Sequence, residues 1–279
     1  GDHRDLHSFP TRRSSDLACC LTEADRHMMK SISEVARRQK VRIHTEAFGG
    51  MIRLAAQADD PLLGPDVHVQ HCKGISFHEA MILAETKTNV TTTPSWNQIP
   101  MRCPVPELIE LGANVAVTTD GTAPAMPFDL FRAARDTALL QQSVANDPFL
   151  LPAGKLLSMI TIDAARAIGR EHDLGSLEAG KLADITTIKM TSPHLMPRLM
   201  PIHQLMLFGN AGDVADVFVA GRALMRDRKV LSVAEADVFD CAEAASREAI
   251  HRAGYERLLK PSTNFWTGAQ SNLEALREP

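Results

Sequence analysis

The sequence predicts an α/β protein. Its main body is half of a (β/α)8 TIM-like barrel, followed by a small β-rich module and a terminal helix. Three observations lead there. Short β-rich runs begin near residues 41, 67, 89 and 115 and alternate with amphipathic stretches, the pattern of βαβ units on a parallel sheet. Each run ends on polar or ionisable residues: His44 with Glu46, His71 with Cys72, Thr92 with Thr93, and Thr119 with Asp120. Strand ends of that kind converge on one face of a barrel. After Gly169 the texture changes to turn-punctuated β. A doubly wound open sheet is the structural alternative, but it would carry a Gly-rich phosphate loop after its first strand, and Gly49-Gly50 alone is a weak match.

In chain order, Gly1 to Leu17 has no apolar periodicity and reads as a disordered polar tail. It also resembles the in-frame translation of a sequencing-library adapter, so it is expected to be non-native, with the natural protein continuing upstream of Ala18. A helix capped by Thr22 runs to about Gln39, followed by the strand Val41 to His44. Strands are expected at Val67 to His71, Asn89 to Thr93 and Asn114 to Thr119, with helical stretches near 50–58, 76–87 and 105–111. Helices from Pro127 to Gln142 and from Ala153 to Ile168 close this region. The β-rich module holds Ile185 to Lys189 and Val214 to Val219, with a turn at Ala220-Gly221-Arg222. A helix from Ala234 to Leu259 precedes an irregular end. The expected domains are thus 1–17, 18–169, 170–232 and 233–279.

With 279 residues, 44% hydrophobic and 23% charged, and a net charge of −4, the chain can bury a sizeable core. That balance offers no footprint for nucleic acid, and no run of about 18 apolar residues could cross a bilayer. The expected partner is a small molecule. The five cysteines, Cys19, Cys20, Cys72, Cys103 and Cys241, are scattered and no secretory signal pattern is present. Reduced thiols in a cytoplasmic protein are therefore expected, with no disulfides.

Four stretches together resemble the amidohydrolase superfamily, in its aminohydrolase branch of triazine hydrolases, cytosine and guanine deaminases and S-adenosylhomocysteine deaminase. They are Ile43-His44-Thr45-Glu46, Gln70-His71-Cys72, Val117-Thr118-Thr119-Asp120-Gly121, and the segment Gly175 to Asp184. The last resembles the turn by which this family's chain leaves the barrel for its β-sandwich. The resemblance spans about Val41 to Val230, and it implies the second half of a (β/α)8 TIM-like barrel plus the C-terminal part of a small β-sandwich and a terminal helix. It implies a divalent metal, zinc foremost and iron as the alternative, that activates water for attack on a C–N or similar bond. It implies His44 and Asp120 as metal ligands, His71 as a further ligand or polarising group, and Asp120 as the group that moves the water's proton.

The sequence departs from that pattern in three places. No His-x-His occurs anywhere in the chain, where the family carries such a pair on its first strand. His44, His71 and Asp120 alone under-coordinate a metal, so weak or no metal binding is expected of this chain by itself. The branch's glutamate position, three residues after His44, is Ala47, whereas Glu46 stands one residue early and in an extended segment points to the opposite side. Thr92 occupies the position of a seventh-strand histidine, although Pro94 and Asn97 are kept.

The candidate site is therefore His44, His71 and Asp120 for metal, with Asp120, His71 and Glu46 for catalysis. Trp96, Asn97 and His78 are the candidate substrate contacts. On residues alone, Asp120-Gly121 also fits an ordinary turn, and His78 also fits the start of a helix. His68, between Val67 and Val69, reads as packed. Cys72 and Cys103 read as buried thiols. Met190, Met196, Met200 and Met206 read as core or subunit contact, and His172, His194, His203 and His251 as structural. The expected function is metal-dependent hydrolysis of non-peptide C–N bonds, deaminase-like or amidohydrolase, incomplete in this chain. The alternative is a non-catalytic remnant or binding scaffold of the same fold. Half a barrel exposes two strand edges, so self-association into a homo-oligomer is expected.

Overall fold

A computed structural model describes residues 16–18, 26–58, 62–94, 101–121 and 128–260. The chain divides into two compact units, Gly1–Ala223 and Leu224–Pro279. In the first, five parallel strands lie side by side in chain order: β1 (Asp16–Ala18), β2 (Ile43–Phe48), β3 (Val67–Lys73), β4 (Asn89–Thr92) and β5 (Val115–Val117). Sequential order without a reversal is that of a barrel arc, whereas a doubly wound sheet reverses its strand order. The segment expected to be irregular thus ends in β1, whose Leu17 is the register partner of His44. Residues 1–15 and the expected cap Thr22 lie outside the described residues.

The crossover helices explain the hydrophobic pattern. In α1 (Arg26–Gln39) Met29 and Ala36 are buried and Ile32 is packed against the same core, one stripe at helical spacing. β2 runs to Phe48, four residues past the expected end, because Thr45 to Ala47 continue the ladder against Val69 to His71. α2 (Met51–Ala56) and α3 (Phe77–Glu85) follow β2 and β3. Ser76 and Glu79 form a reciprocal cap on α3. Glu79 also accepts from the Arg53 N–H of α2, and these backbone bonds outweigh burial and hold its carboxyl below the usual range. Gly49 is required where two loops touch, since a side chain there would meet the carbonyl oxygen of Gly74.

α4 (Val105–Glu110) and α5 (Leu130–Ala145) complete the outer layer. The expected helix from Ala153 to Ile168 is instead two, α6 (Ala153–Met159) and α7 (Ile162–Ala167), broken at Thr161, whose φ of −129° and ψ of −97° leave the helical range. At the N-terminal ends of the strands, Asn114 donates to Asn89 Oδ1 at 2.9 Å and to the Asp163 carbonyl at 2.9 Å, which ties α7 to β4 and β5. Gly175, at φ +86°, lies so close to α7 that a Cβ would stand 2.7 Å from the Ala165 methyl. Only glycine meets both demands, which is the physical content of the Gly175 to Asp184 segment.

Beyond it, β6 (Ile185–Ile188) pairs antiparallel with β7 (Val214–Val219). Between them stands α8 (Pro201–Phe208), a helix in a region read as β-rich. Within the methionine-rich stretch only Met206 is fully buried, while Met196 and Met200 are exposed. The second unit begins within β8 (Arg222–Arg226) and contains its hairpin partner β9 (Lys229–Val230), with Met225 opposite Val230, and α9 (Glu235–Ala253). α9 stops six residues before the expected Leu259, because Gly254 takes a left-handed φ of +67°.

Candidate active site

Strand alternation sorts the first unit's sheet into two faces. Ile43, Ala47, Val67, Val69, Val90, Val115 and Val117 join the apolar cluster beneath the helices. The opposite face carries His44 and Glu46 of β2, His68 and Gln70 of β3, and Asn89 and Thr91 of β4, paired by register as His44 with His68, Glu46 with Gln70, and Gln70 with Thr91.

Glu46 does point away from the Ala47 side, and that direction is the His44 face. Ala47 itself is fully buried in the helix-side cluster.

His71 breaks the alternation. A regular strand would turn it to the helices with Val69, but its φ is +71° and that of Cys72 is +49°. The reversal brings the imidazole to the inner face, stacked on Phe48 with ring centroids 5.5 Å apart. There His71 Nε2 is 3.4 Å from Glu46 Oε2 and 3.7 Å from Asp120 Oδ2. Asp120 also has a left-handed φ of +60°, and the Gly121 N–H holds its Oδ1 at 2.6 Å, which leaves Oδ2 to face His71. His71 Nδ1 is buried without a partner, so the neutral ring carries its proton on Nε2, toward the two carboxylates. Burial lowers the His71 pKa, with Asp120 opposing, Lys73 reinforcing and Glu46 opposing.

His44 stacks on His68 at 4.1 Å between centroids. Burial lowers the His44 pKa, Glu46 opposes this, and His71 reinforces it. His68 is buried, as read from its setting, and burial with His44 and Arg42 nearby pushes its pKa down to about 4. Burial also lifts the Cys72 thiol well above its ordinary value and Cys103 to about 12, so neither supplies a thiolate. Thr92 turns away from the inner face toward Cys103 and the His71 carbonyl. His78 is exposed in the first turn of α3. Trp96 and Asn97 lie outside the described residues.

The residues missed by sequence reasoning are Gln70, Thr93 and Thr118, a hydrogen-bonded group on the inner face next to His71. Its only signal was polar side chains recurring at every second position of adjacent strands.

Two imidazoles kept neutral by burial, with carboxylates beside them, are donor types that suit a borderline divalent cation. The donor count falls short: among the described residues no group of three or more His, Cys, Asp and Glu is arranged to hold a metal ion.

The chain has relatives among curated proteins and solved structures. The 5-methylthioadenosine/S-adenosylhomocysteine deaminase of Syntrophobacter fumaroxidans is 35% identical over 174 residues, which cover 62% of this chain and 40% of that protein. The 5'-deoxyadenosine deaminase of Methanothermobacter thermautotrophicus is 36% identical over 189 residues, 67% of this chain and 44% of that protein. The chain therefore spans less than half the length of these curated relatives. Among solved structures, an adenosine deaminase from Xanthomonas campestris with bound zinc superposes with a TM-score of 0.77 at 23% identity, over 85% of this chain and 57% of that one, which shows a shared fold. The sequence model of the Amidohydrolase family matches residues 5–224, and the chain belongs to that family.

Proposed function

We propose that these residues form the second half-barrel, with its adjoining β-sandwich part and terminal helix, of a cytoplasmic metal-dependent hydrolase that cleaves non-peptide C–N bonds of small molecules, as deaminases do. The observation that carries the reading is the convergence of His71 with Glu46 and Asp120 at the ends of β2, β3 and β5. In this reading His44, His71 and Asp120 would supply part of the ligands of a divalent metal, with zinc as the ion. When bound, the metal supplies the polarisation that makes water nucleophilic at neutral pH.

This chain's own groups do the rest. Asp120 Oδ2 accepts the proton of the attacking water and returns it to the departing nitrogen, while Gly121 N–H keeps the carboxylate aimed. His71, neutral by virtue of burial, holds a donor toward the reacting centre, and Glu46 contacts the water or substrate. His78, in the first turn of α3, contacts the substrate, and Trp96 and Asn97, which lie outside the described residues, are the further substrate contacts of this reading. The edge strands β1 and β5 give the chain two pairing surfaces and favour a homo-oligomer, which sedimentation reads directly.

The test is ammonia release from adenosine-type nucleosides by a zinc-loaded, complete protein containing these residues. Activity that falls about a thousandfold in Asp120→Asn, with unchanged melting, is the expected result. A complete protein that takes up no zinc and releases no ammonia overturns the reading in favour of a binding scaffold of the same fold, for which Thr92 and Ala47 at two expected catalytic positions would then be the reason.

A further inference from the structure

We infer that Gln70 is a positioning residue that sets the placement of His71 against Asp120. The inference rests on the reading above only in taking those two as the reacting groups.

Gln70 is buried at the mouth end of β3. Its Nε2 donates to Thr93 Oγ1 at 2.9 Å and to Thr118 Oγ1 at 3.0 Å, and its Oε1 accepts from Thr91 Oγ1. Thr93 and Thr118 also bond each other at 2.9 Å. A primary amide has two N–H donors, and both are used, while its carbonyl is engaged as well. A set that engages every polar atom of the amide holds parts in place.

The parts it holds are the strand ends that bear the chemistry. Gln70 immediately precedes His71, Thr93 directly follows β4, and Thr118 stands two residues before Asp120. Between β3, β4 and β5 the backbone ladder stops at this level, while β2 still pairs with β3 through His71 and Lys73. The β3–β4 register ends at Gln70 with Thr91, and the β4–β5 register ends at Thr92 with Val117, followed by one bond from Thr118 N–H to the Thr92 carbonyl. Beyond it His71, Cys72 and Asp120 all leave extended conformation. β3 and β5 are not neighbours, since β4 lies between them. The Gln70 to Thr118 bond spans that gap and fixes the lateral distance between the two strand ends where the sheet itself no longer does.

The test compares Gln70→Leu, Thr118→Val and Thr118→Ser in the 279-residue chain, kept metal-free with a chelator. Long-range nitrogen–proton NMR of the histidine rings at one fixed neutral pH reads the result. In the unaltered chain His71 should show a single tautomer protonated on Nε2. Gln70→Leu and Thr118→Val should displace both ring-nitrogen signals of His71 and lose the single tautomer, while Thr118→Ser, which keeps the hydroxyl, restores it. His194, bonded to Asp213 at 2.9 Å, serves as the unmoved reference. His71 signals in Thr118→Val that coincide with those of the unaltered chain overturn the inference, whatever happens to melting temperature. Should Gln70→Leu fail to fold, the Thr118 pair still decides. No metal or substrate enters these spectra, so a complete protein without zinc or hydrolysis would sink the functional reading and leave this result standing.

Discussion

The helix-side face of the sheet in the first unit and its inner face are both largely buried, yet they are made of opposite chemistry. Val67, Val69, Val90 and Val115 fill the layer beneath the helices with apolar side chains. His68, Gln70, Asn89 and Thr91 occupy the same strands one residue out of phase and are also withdrawn from water. On the helix side, burial is non-directional and scales with area. On the inner face each polar atom must find a partner or raise the free energy of the fold. The inner face therefore fixes atoms in position at the expense of stability, and the helix side supplies the stability that makes this affordable.

The largest effect that would sharpen this contrast lies on the helix side. Leu83 of α3 is fully buried in the apolar cluster, and Leu83→Ala should lower unfolding free energy by about 4 kcal/mol in urea while leaving the His71 ring signals in place. A loss under about 1 kcal/mol would mean that the helix layer does not carry the fold.

Acid tests the inner face. His68 has its pKa depressed from 6.5 to about 4, so the folded state keeps it neutral while the unfolded chain takes up the proton first. Its contribution is complete above pH 6.5 and is lost as pH falls toward about 4, a decline of about 3 kcal/mol for this one group. His44 and His71, lowered chiefly by burial, add in the same direction. Urea midpoints across that range should fall, and should fall less in His68→Gln. Midpoints that stay flat would mean that these rings are solvated in the folded state.

The smallest expected effect is Thr91→Val, which removes the hydroxyl donating to Gln70 Oε1 and keeps the volume. It should cost about 1 kcal/mol by chemical denaturation. A stabilised variant would show that the inner polar network is not needed to satisfy Gln70.

The strands were legible because their apolar residues recur at every second position between turn signals, and three of the four expected strands, β3, β4 and β5, begin at or within a residue of the expected place. Glu46 could be read in part, since alternation alone puts it on the face of His44. His71 could not, because no feature of Gln70-His71-Cys72 announces a left-handed backbone at a histidine. The Gln70 clasp was equally hidden, as it depends on Thr93 and Thr118 arriving from two other strands. Helical periodicity likewise ran through Thr161, where the chain turns. α8 escaped because its apolar run carries little polar alternation and sits among β-rich signals.

The reversed backbone at His71 also has a hereditary consequence. A regular strand offers one chamber only alternate residues, so two cooperating groups on it are always separated by a third that faces elsewhere. Here Gln70 and His71 serve the same chamber from adjacent codons. Recombination that shuffles strand–loop segments can part His44 from Asp120, but it passes on the aligner and the group it aligns as one inherited unit.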